Sequence, residues 1–307
     1  MTSTIGLVGL AAGLALSADS PAKLMDWSDL MGRARPEPTA QIAYGPDPLQ
    51  VADVWRPDGK GPFPTVLMIH GGCWRSNLAN FHVMDYAAED LRKRGIAVWN
   101  IEYRGVDRPG GGYPGTFQDV NAAADALVAR AKDFNLRTRR IVVLGHSAGG
   151  QLALWLASRE KLAPSSPLHD GRHLDIAWAV SLGGLPDLAD AGVGCGDKTV
   201  SQLLAGSPNA DRLSDTSPAR LLPSSIPRML IHGALDTTAP PTQGKAYVAK
   251  ARAKHDIRAW TYAIPGDGHV EEITPGSRTW GAVTLGLDSV FHSSDGGWLL
   301  ELNPGPL

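Results

Sequence analysis

The alternation of apolar strands with helical segments, which begins at about residue 40, constrains the fold of this chain more than any other feature. Two strands, AQIAYG and LQVADVWRP, open the pattern and predict an antiparallel pair. Further strands are predicted in TVLMIHG, IAVWNIEYR, RIVVLGHS, AWAVSLGG, PRMLIHGA and RAWTYAIPG. Several of them are continuous apolar runs, as expected for strands that are covered on both faces. The pattern predicts an α/β fold with a mostly parallel central sheet and helices on both faces.

Two connections between strands carry helical periodicity, in NFHVMDYAAEDLRKRG and QDVNAAADALVARAKDF. The first ends in a basic turn followed by Gly95, a typical helix stop. The segment at about 184–225 interrupts this rhythm and is rich in Gly, Ala, Ser and Pro. We expect it to form a small cap of one or two short helices over the carboxyl edge of the sheet. Because no other composition shift marks a boundary, residues 19–307 are predicted to be a single domain.

The N-terminal segment contains an apolar run, IGLVGLAAGLALSA, at residues 5–18. It resembles the hydrophobic region of a signal peptide with small residues near a cut after Ser17 or Ala18, but the four residues before it carry no Lys or Arg. Two alternatives stay open: removal of residues 1–18 from a periplasmic or secreted protein, or an ordinary packed segment of a cytoplasmic one. The run is too short for a transmembrane helix, so no integral membrane span is expected.

Charge and motif content exclude several classes of partner. The formal net charge is -2 and no segment concentrates Lys and Arg, so a nucleic-acid partner is not expected. No glycine-rich phosphate loop joins a strand to a helix, which argues against a nucleotide cofactor. The histidines away from the motifs below lack the neighbouring carboxylates and thiols of a metal site, so no metal is predicted.

Cys73 and Cys195 are too few for a disulfide framework and are predicted to be unpaired thiols. The oligomeric state leaves no readable trace.

The segment VVLGHSAGGQLALWLA places Ser147 at a sharp turn between a strand and a helix. Gly145 and Gly149 flank it, and in such a turn larger side chains would collide with neighbouring backbone. Serine is also a common helix N-cap, so the pattern alone has a structural explanation. The strand-turn-helix context favours a nucleophile raised from the edge of the sheet.

A serine hydroxyl needs a base and an orienting carboxylate, and both follow in the chain. Asp236 comes just after the strand in MLIHGALDTTAPP, and His269 lies in the loop AIPGDGHVEE after the next strand. Asp236 could be an ordinary turn residue and His269 a surface-loop histidine. Asp267 competes as the acid, but we favour Asp236 because it stands at a strand end.

A second strand runs into glycines in MIHGGCWR. Gly71 and Gly72 let the backbone approach a substrate, and the amides of Gly72 or Cys73 together with that of Ala148 could stabilise a developing oxyanion. The alternative is a tight turn with no ligand. His70 and His146 flank these glycines and are expected to hydrogen-bond loop backbone.

The substrate pocket is expected beside this loop and beside the glycines at 110–112. Trp74, Tyr113 and Leu185 are the predicted lining residues.

Four motifs, HGGCW, GHSAGG, HGALDTTAP and PGDGHVEEI, occur in one order over about residues 40–295. In this order the chain resembles the α/β-hydrolases of the esterase/lipase and kynurenine-formamidase-like group. The resemblance implies the α/β-hydrolase fold, Ser147 as nucleophile, His269 as base, Asp236 as acid, and the loop from Gly71 to Cys73 as part of the oxyanion hole. Cys73 departs from the aromatic residue or third glycine common in that group, which points to an altered acyl pocket.

These features predict a cofactor-independent serine hydrolase that cleaves a carboxylic ester with a small or aromatic group through an acyl-enzyme. One alternative is an arylformamidase-type amidase acting on N-formyl aryl amides. The other is a non-catalytic protein of the same fold that binds a small ligand.

Overall fold

The structure, a computed structural model, describes residues 23–205 and 211–292. Its strands are β1 (Ala40–Ala43), β2 (Val51–Trp55), β3 (Thr65–Ile69), β4 (Ala97–Ile101), β5 (Ile141–His146), β6 (Ile176–Leu182), β7 (Arg228–Gly233) and β8 (Ala259–Ile264). They form one sheet in the order β1-β2-β4-β3-β5-β6-β7-β8. The pairs β1/β2 and β2/β4 are antiparallel, and the pairs from β4 to β8 are parallel. Each strand overlaps a segment predicted from the sequence, and the mostly parallel α/β fold is confirmed.

Helices cover both faces of this sheet. They are α1 (Trp27–Met31), α2 (Asp85–Lys93), α3 (Gly115–Arg130), α4 (Ala148–Leu156), α5 (Gly192–Cys195), α6 (Asp197–Leu203), α7 (Asp211–Thr216), α8 (Thr242–Ala253) and α9 (Arg278–His292). Side chains alternate along β3, so Leu67 and Ile69 join the core under α3, α4 and α8. Val66 and Met68 face the opposite way and join the core under α1, α2 and α9. Because β3, β5, β6, β7 and β8 run parallel, the loops that leave their carboxyl ends meet at one edge.

The segment between β6 and β7 contains the helices α5, α6 and α7, where the sequence predicted one or two. A disulfide joins Cys195 of α5 to Cys73 in the loop after β3, with 5.3 Å between the two Cα atoms. The prediction of two unpaired thiols is therefore wrong. The two cysteines are 122 residues apart in sequence, and it is the parallel order of the strands that brings the loop after β3 next to the segment between β6 and β7.

The chain before the sheet lies across the loop that carries His269. The backbone N–H of Met25 donates to Glu271 Oε1 at 2.6 Å, and Leu30 is buried in the core. The hydroxyl of Tyr86 donates to the carbonyl of Arg33 at 3.1 Å. The predicted signal segment, residues 1–18, lies outside the described residues. Within the described part of the chain, no helix has both the length and the apolarity needed to cross a membrane.

Candidate active site

Ser147 occupies the tight turn between β5 and α4. Its backbone has φ 54° and ψ -121°, a left-handed conformation that L-residues avoid unless the surrounding structure imposes it. The Ser147 N–H donates to the carbonyl of Leu182 at 2.8 Å, which ties the turn to the end of β6. The side chain makes no capping hydrogen bond to α4, so the N-cap explanation of this serine does not hold. The turn thus holds a buried serine in a strained position at the carboxyl edge of the sheet.

The glycines on either side of Ser147 are required by close backbone approach. A Cβ on Gly145 would lie 2.0 Å from the carbonyl oxygen of Gly149. A Cβ on Gly149 would lie 2.2 Å from the carbonyl oxygen of Ile69 at the end of β3. The strand, the turn and the helix can therefore pack at this distance only with glycine at both positions.

His269 and Asp236 form a hydrogen-bonded pair. The imidazole Nδ1 lies 2.7 Å from Asp236 Oδ2, and Asp236 Oδ1 accepts from the amides of Thr238 at 2.8 Å and Ala239 at 2.9 Å. Burial opposes ionisation of Asp236, but the hydrogen bond and charge of His269, with the two amides, lower the pKa of Asp236 to about 2. Asp236 is thus ionised at neutral pH, and it engages Nδ1 of His269, so Nε2 is the ring nitrogen that this pair leaves free.

The competing acid, Asp267, faces a different part of the fold. Its Oδ2 accepts from the backbone N–H and the hydroxyl of Thr279, both at 2.7 Å, in the first turn of α9. The structure therefore brings His269 together with Asp236 and ties Asp267 to a helix start.

Two other histidines hold backbone around the site. His146 Nε2 lies 3.0 Å from the carbonyl oxygen of His269, and the two rings are 4.4 Å apart. Burial lowers the pKa of His146 well below its ordinary value, so its neutral ring donates Nε2–H to that carbonyl. His70 lies with Nδ1 2.7 Å from the carbonyl oxygen of Gly71 and Nε2 2.8 Å from Glu102 Oε1. Both rings thus fix loops next to Ser147.

The loop after β3 lies directly beside the serine. A Cβ on Gly71 would be 2.9 Å from Ser147 Cβ, and Gly72 has φ 102°, where a glycine is favoured. Cys73 follows with φ 50° and is held by the disulfide to α5. Ala148 is the first residue of α4, where backbone N–H groups have no acceptor within the helix. Gly71 and Ala148 thus lie beside Ser147, and Gly72 and Cys73 follow Gly71 in the same loop. The role of these amides as oxyanion donors stays a prediction.

A cavity of about 390 Å³ opens next to this loop. It is lined by Trp27, Met31, Gly71, Gly72, Val83 and residues 76–80. The ring of Trp27 packs edge-on against two imidazoles, with centroid distances of 6.0 Å to His146 and 6.4 Å to His269. Apolar side chains dominate the wall, so the cavity suits an apolar group.

The predicted pocket residues, Trp74, Tyr113 and Leu185, are not among the residues that line this cavity. Trp74 is fully buried and donates its Nε1–H to Gln151 Oε1 at 3.0 Å, and Leu185 is also buried in the core. The hydroxyl of Tyr113 donates to Asp215 Oδ2 at 2.9 Å. These three side chains do not line the cavity beside the loop after β3, because each is turned into packing or hydrogen bonding with α4 or the cap. Their contact with a substrate stays a prediction.

Sequence reasoning missed Trp27, Met31 and Glu272. Asp26 N–H donates to Asp29 Oδ2 at 2.8 Å, a spacing that marks a helix start in the sequence. No pattern, however, indicates that this helix covers the site. Glu272 stands inside the motif PGDGHVEEI, but its burial depends on strands that are distant in sequence.

Three groups of side chains have potential metal-ligand atoms within 4.8 Å of one another: His146/His269/Glu272, His232/Asp236/Glu272 and Asp53/His82/Asp85. In the site, His269 Nδ1 and Asp236 Oδ2 are already hydrogen-bonded to each other. Away from it, His82 Nδ1 lies 3.0 Å from Asp85 Oδ2. The absence of a metal stays a prediction from the sequence.

The sheet order, the turn at Ser147 and the loops gathered at one edge define an α/β-hydrolase fold. Residues 52–250, more than half of the chain, match the BD-FAE family. The chain belongs to the BD-FAE family.

Known proteins similar to this chain include two curated relatives and a solved structure. Esterase LipC of Mycobacterium tuberculosis is 28% identical over 268 residues, which covers 82% of this chain and 65% of LipC. The kynurenine formamidase of Meyerozyma guilliermondii is 28% identical over 147 residues, covering 48% of this chain and 52% of that protein. The chain therefore spans less than two thirds of either relative. An inhibited esterase B from Lactobacillus rhamnosis superposes with a TM-score of 0.67 at 20% identity, covering 85% of this chain and 93% of the esterase, and this likeness concerns the fold.

Proposed function

We propose that this protein is a serine hydrolase that cleaves a carboxylic ester through an acyl-enzyme. The observation that carries the proposal is the 2.7 Å contact between His269 Nδ1 and Asp236 Oδ2 at the edge of the sheet where the strained turn holds Ser147. A nucleophile, a base and an orienting carboxylate gathered at one edge are the parts that acyl transfer requires. The similarity to LipC supports the choice of an ester.

In this mechanism Asp236 holds Nδ1–H of His269, and Nε2 takes the proton of the Ser147 hydroxyl as its oxygen attacks the carbonyl. The negative charge that develops on the carbonyl oxygen is stabilised by the amides of Gly72 or Cys73 and of Ala148. Each such donor contributes roughly 3 kcal/mol to lowering the barrier. The imidazolium then gives its proton to the leaving alcohol, and water, activated by the same histidine, releases the acid and restores Ser147.

The cavity supports an ester that carries an apolar or aromatic group. Trp27, Met31 and Val83 offer apolar surface to such a group at the side of the oxyanion loop. A volume of about 390 Å³ suits a small organic moiety. The second candidate substrate is an N-formyl aryl amide, and the match to the kynurenine formamidase over 147 residues favours it as the alternative.

The test is kcat/KM of the wild type and of Ser147→Ala on short and long aryl esters, a hydroxycinnamate ester and N-formylkynurenine. We expect ester turnover that Ser147→Ala lowers by at least about 10⁴-fold, because the nucleophile is lost while folding is unaffected. Full activity in Ser147→Ala would exclude this mechanism. A formyl amide that leads by orders of magnitude would identify a formamidase. No turnover, together with no labelling of Ser147 by a covalent serine probe, would favour a ligand-binding protein.

A further inference from the structure

A second carboxyl group, that of Glu272, lies buried behind the pair formed by Asp236 and His269. Its Oε1 accepts from the backbone N–H of Gly233 at 2.8 Å. Its Oε2 lies 3.6 Å from His269 Nδ1 and 3.4 Å from His146 Nε2. Among the described residues, Oε2 receives no hydrogen bond, although its accessible surface is near zero. Burying an ionised carboxylate oxygen without a hydrogen-bond donor is costly. The surroundings of Glu272 must therefore be examined to decide whether its carboxyl group is ionised or neutral.

The carboxylate of Asp236 is the neighbour that decides the protonation of Glu272. Oxygens of Asp236 and Glu272 lie within 4.8 Å of each other, and at such a distance the charge of one buried carboxylate opposes ionisation of the other. Asp236 is the ionised member, because His269 and two amides donate to it. Burial first, and then the charge of Asp236, raise the pKa of Glu272 well above its ordinary value.

The other titratable groups around Glu272 do not reverse this assignment. His146 and His232, at the ends of β5 and β7, are both kept neutral because burial lowers the pKa of each ring. Glu271, on the same turn as Glu272, accepts backbone N–H groups from Met25 and Gly268. A negative charge on Glu271 further opposes ionisation of Glu272. The remaining neighbour, His269, is bound to Asp236.

We propose that Glu272 is a positioning residue, a neutral carboxylic acid that donates its Oε2 proton to Oδ2 of Asp236 and so fixes the carboxylate that orients His269. Oδ1 of Asp236 already accepts two amides, which leaves the second lone pair of Oδ2 for this donor. The inference rests on the proposed function, since it assigns Glu272 a role in orienting the His269–Asp236 pair of that mechanism.

Gly183 provides the space in which this carboxyl sits. It follows β6 with φ 49°, and a Cβ there would lie 2.0 Å from Glu272 Oε2. The backbone at the end of β6 therefore approaches the carboxyl as closely as glycine permits. This close fit holds Oε2 toward Asp236 and His269, which a mobile side chain could not do.

The charge of Glu272 matters for the base. An ionised Glu272 would place a second negative charge 3.6 Å from Nδ1 of His269, and this charge would stabilise the imidazolium. A neutral Glu272 leaves Asp236 as the single negative charge beside His269 and still fixes the orientation of the Asp236 carboxylate. The two states thus differ in where the acid limb of the pH profile falls.

The test compares Glu272→Gln with Glu272→Ala across the pH profile of kcat/KM on the best ester. Gln keeps the neutral charge and an N–H donor, so we expect kcat/KM within about threefold of wild type and an unmoved acid limb. Ala removes the donor, so we expect kcat to fall at least about 10-fold while KM changes less than about threefold. Folded fractions are compared by circular dichroism.

Three results would overturn the proposal. An acid limb that moves to lower pH by about one unit or more in Glu272→Gln would mean that Glu272 is ionised. Wild-type kcat in Glu272→Ala would mean that the side chain of Glu272 does not position Asp236. If Glu272→Gln were as impaired as Glu272→Ala, hydrogen-bond donation to Asp236 would not be what this side chain contributes.

Infrared spectroscopy in heavy water tests the protonation without any turnover. We expect the C=O band of a protonated carboxyl in the wild type at neutral pH and in the matched control Glu271→Gln, and its loss in Glu272→Gln. A wild-type protein without this band would refute the neutral acid. Because the readout needs no substrate, failure of the proposed function, tested by Ser147→Ala, stays distinguishable from failure of this inference.

Discussion

At the scale of single residues, the two aspartates near His269 differ in what their carboxylates hold. Asp236 accepts from His269, whereas Asp267 accepts from Thr279 at the start of α9. We expect Asp236→Asn to lower kcat on an ester by about 10⁴-fold, because an amide in place of the carboxylate favours the wrong imidazole tautomer. Initial rates at saturating substrate would check this.

Asp267→Asn is the matched control for that change. It weakens the bonds to Thr279 and should reduce stability, while kcat per folded molecule stays within about threefold of wild type. A larger loss of kcat in Asp267→Asn than in Asp236→Asn would mean that Asp267, and not Asp236, is the acid that orients His269.

At the scale of elements, the short helix α1 contributes Trp27 and Met31 to the apolar wall of the cavity. Trp27 contacts the rings of His146 and His269 from this helix. We expect Trp27→Ala to raise KM for aryl esters by about 10-fold with little change in kcat, because the lost contact binds the substrate group rather than the reacting atoms. KM for a short aliphatic ester should change far less.

Trp27→Phe is the control, since it keeps an aromatic face at the same place and should recover most of the affinity for aryl esters. Equal effects of Trp27→Ala on aryl and aliphatic esters would mean that α1 does not select the substrate.

The elements also differ in how far the sequence predicts them. Strands such as β5 and β7 were predicted because continuous apolar runs between turns leave few alternatives. Ser147, Asp236 and His269 were selected as candidates because each of them follows a predicted strand. Helices as short as α1 and α5 carry little signal, since their stability comes from tertiary packing.

Side-chain direction in loops was not predictable either. The indole of Trp74, predicted to line the pocket, is fully buried and donates its Nε1–H to Gln151, a partner that no local pattern indicates. The same limit applies to Glu272, whose burial depends on β6 and β7 and not on its neighbours in the motif.

At the scale of the whole molecule, the disulfide joins the loop after β3 to α5 across 122 residues of sequence. A link over such a long loop restricts the unfolded chain strongly. We expect the double variant Cys73→Ser/Cys195→Ser to lose about 2–4 kcal/mol of the free energy of unfolding, measured in urea. Reduced wild type should match the double variant. Two thiols titrating in denatured, unreduced protein would contradict the link.

Buried neutral histidines make the stability of the whole molecule sensitive to acid. His232 donates from Nδ1 to the carbonyl of Ala239 at 2.9 Å, and burial lowers its pKa to about 4. The unfolded chain takes up a proton near the ordinary histidine pKa of about 6.5, whereas the folded protein does so near 4. The stabilisation is complete above the higher value and is lost as the pH falls through this window.

Glu272 has the opposite sign, because its raised pKa makes the folded state bind the additional proton. A comparison of wild type with His232→Asn isolates the histidine, since Asn keeps an N–H donor for Ala239 and does not titrate. We expect the wild type to lose about 2 kcal/mol more than His232→Asn between about pH 7 and about pH 5. Urea unfolding at both pH values measures this, with exposed His255→Asn as the control that should behave like wild type. Parallel losses in wild type and His232→Asn would show that His232 takes up its proton at the same pH in the folded and the unfolded chain, and acid sensitivity would then have to come from other groups.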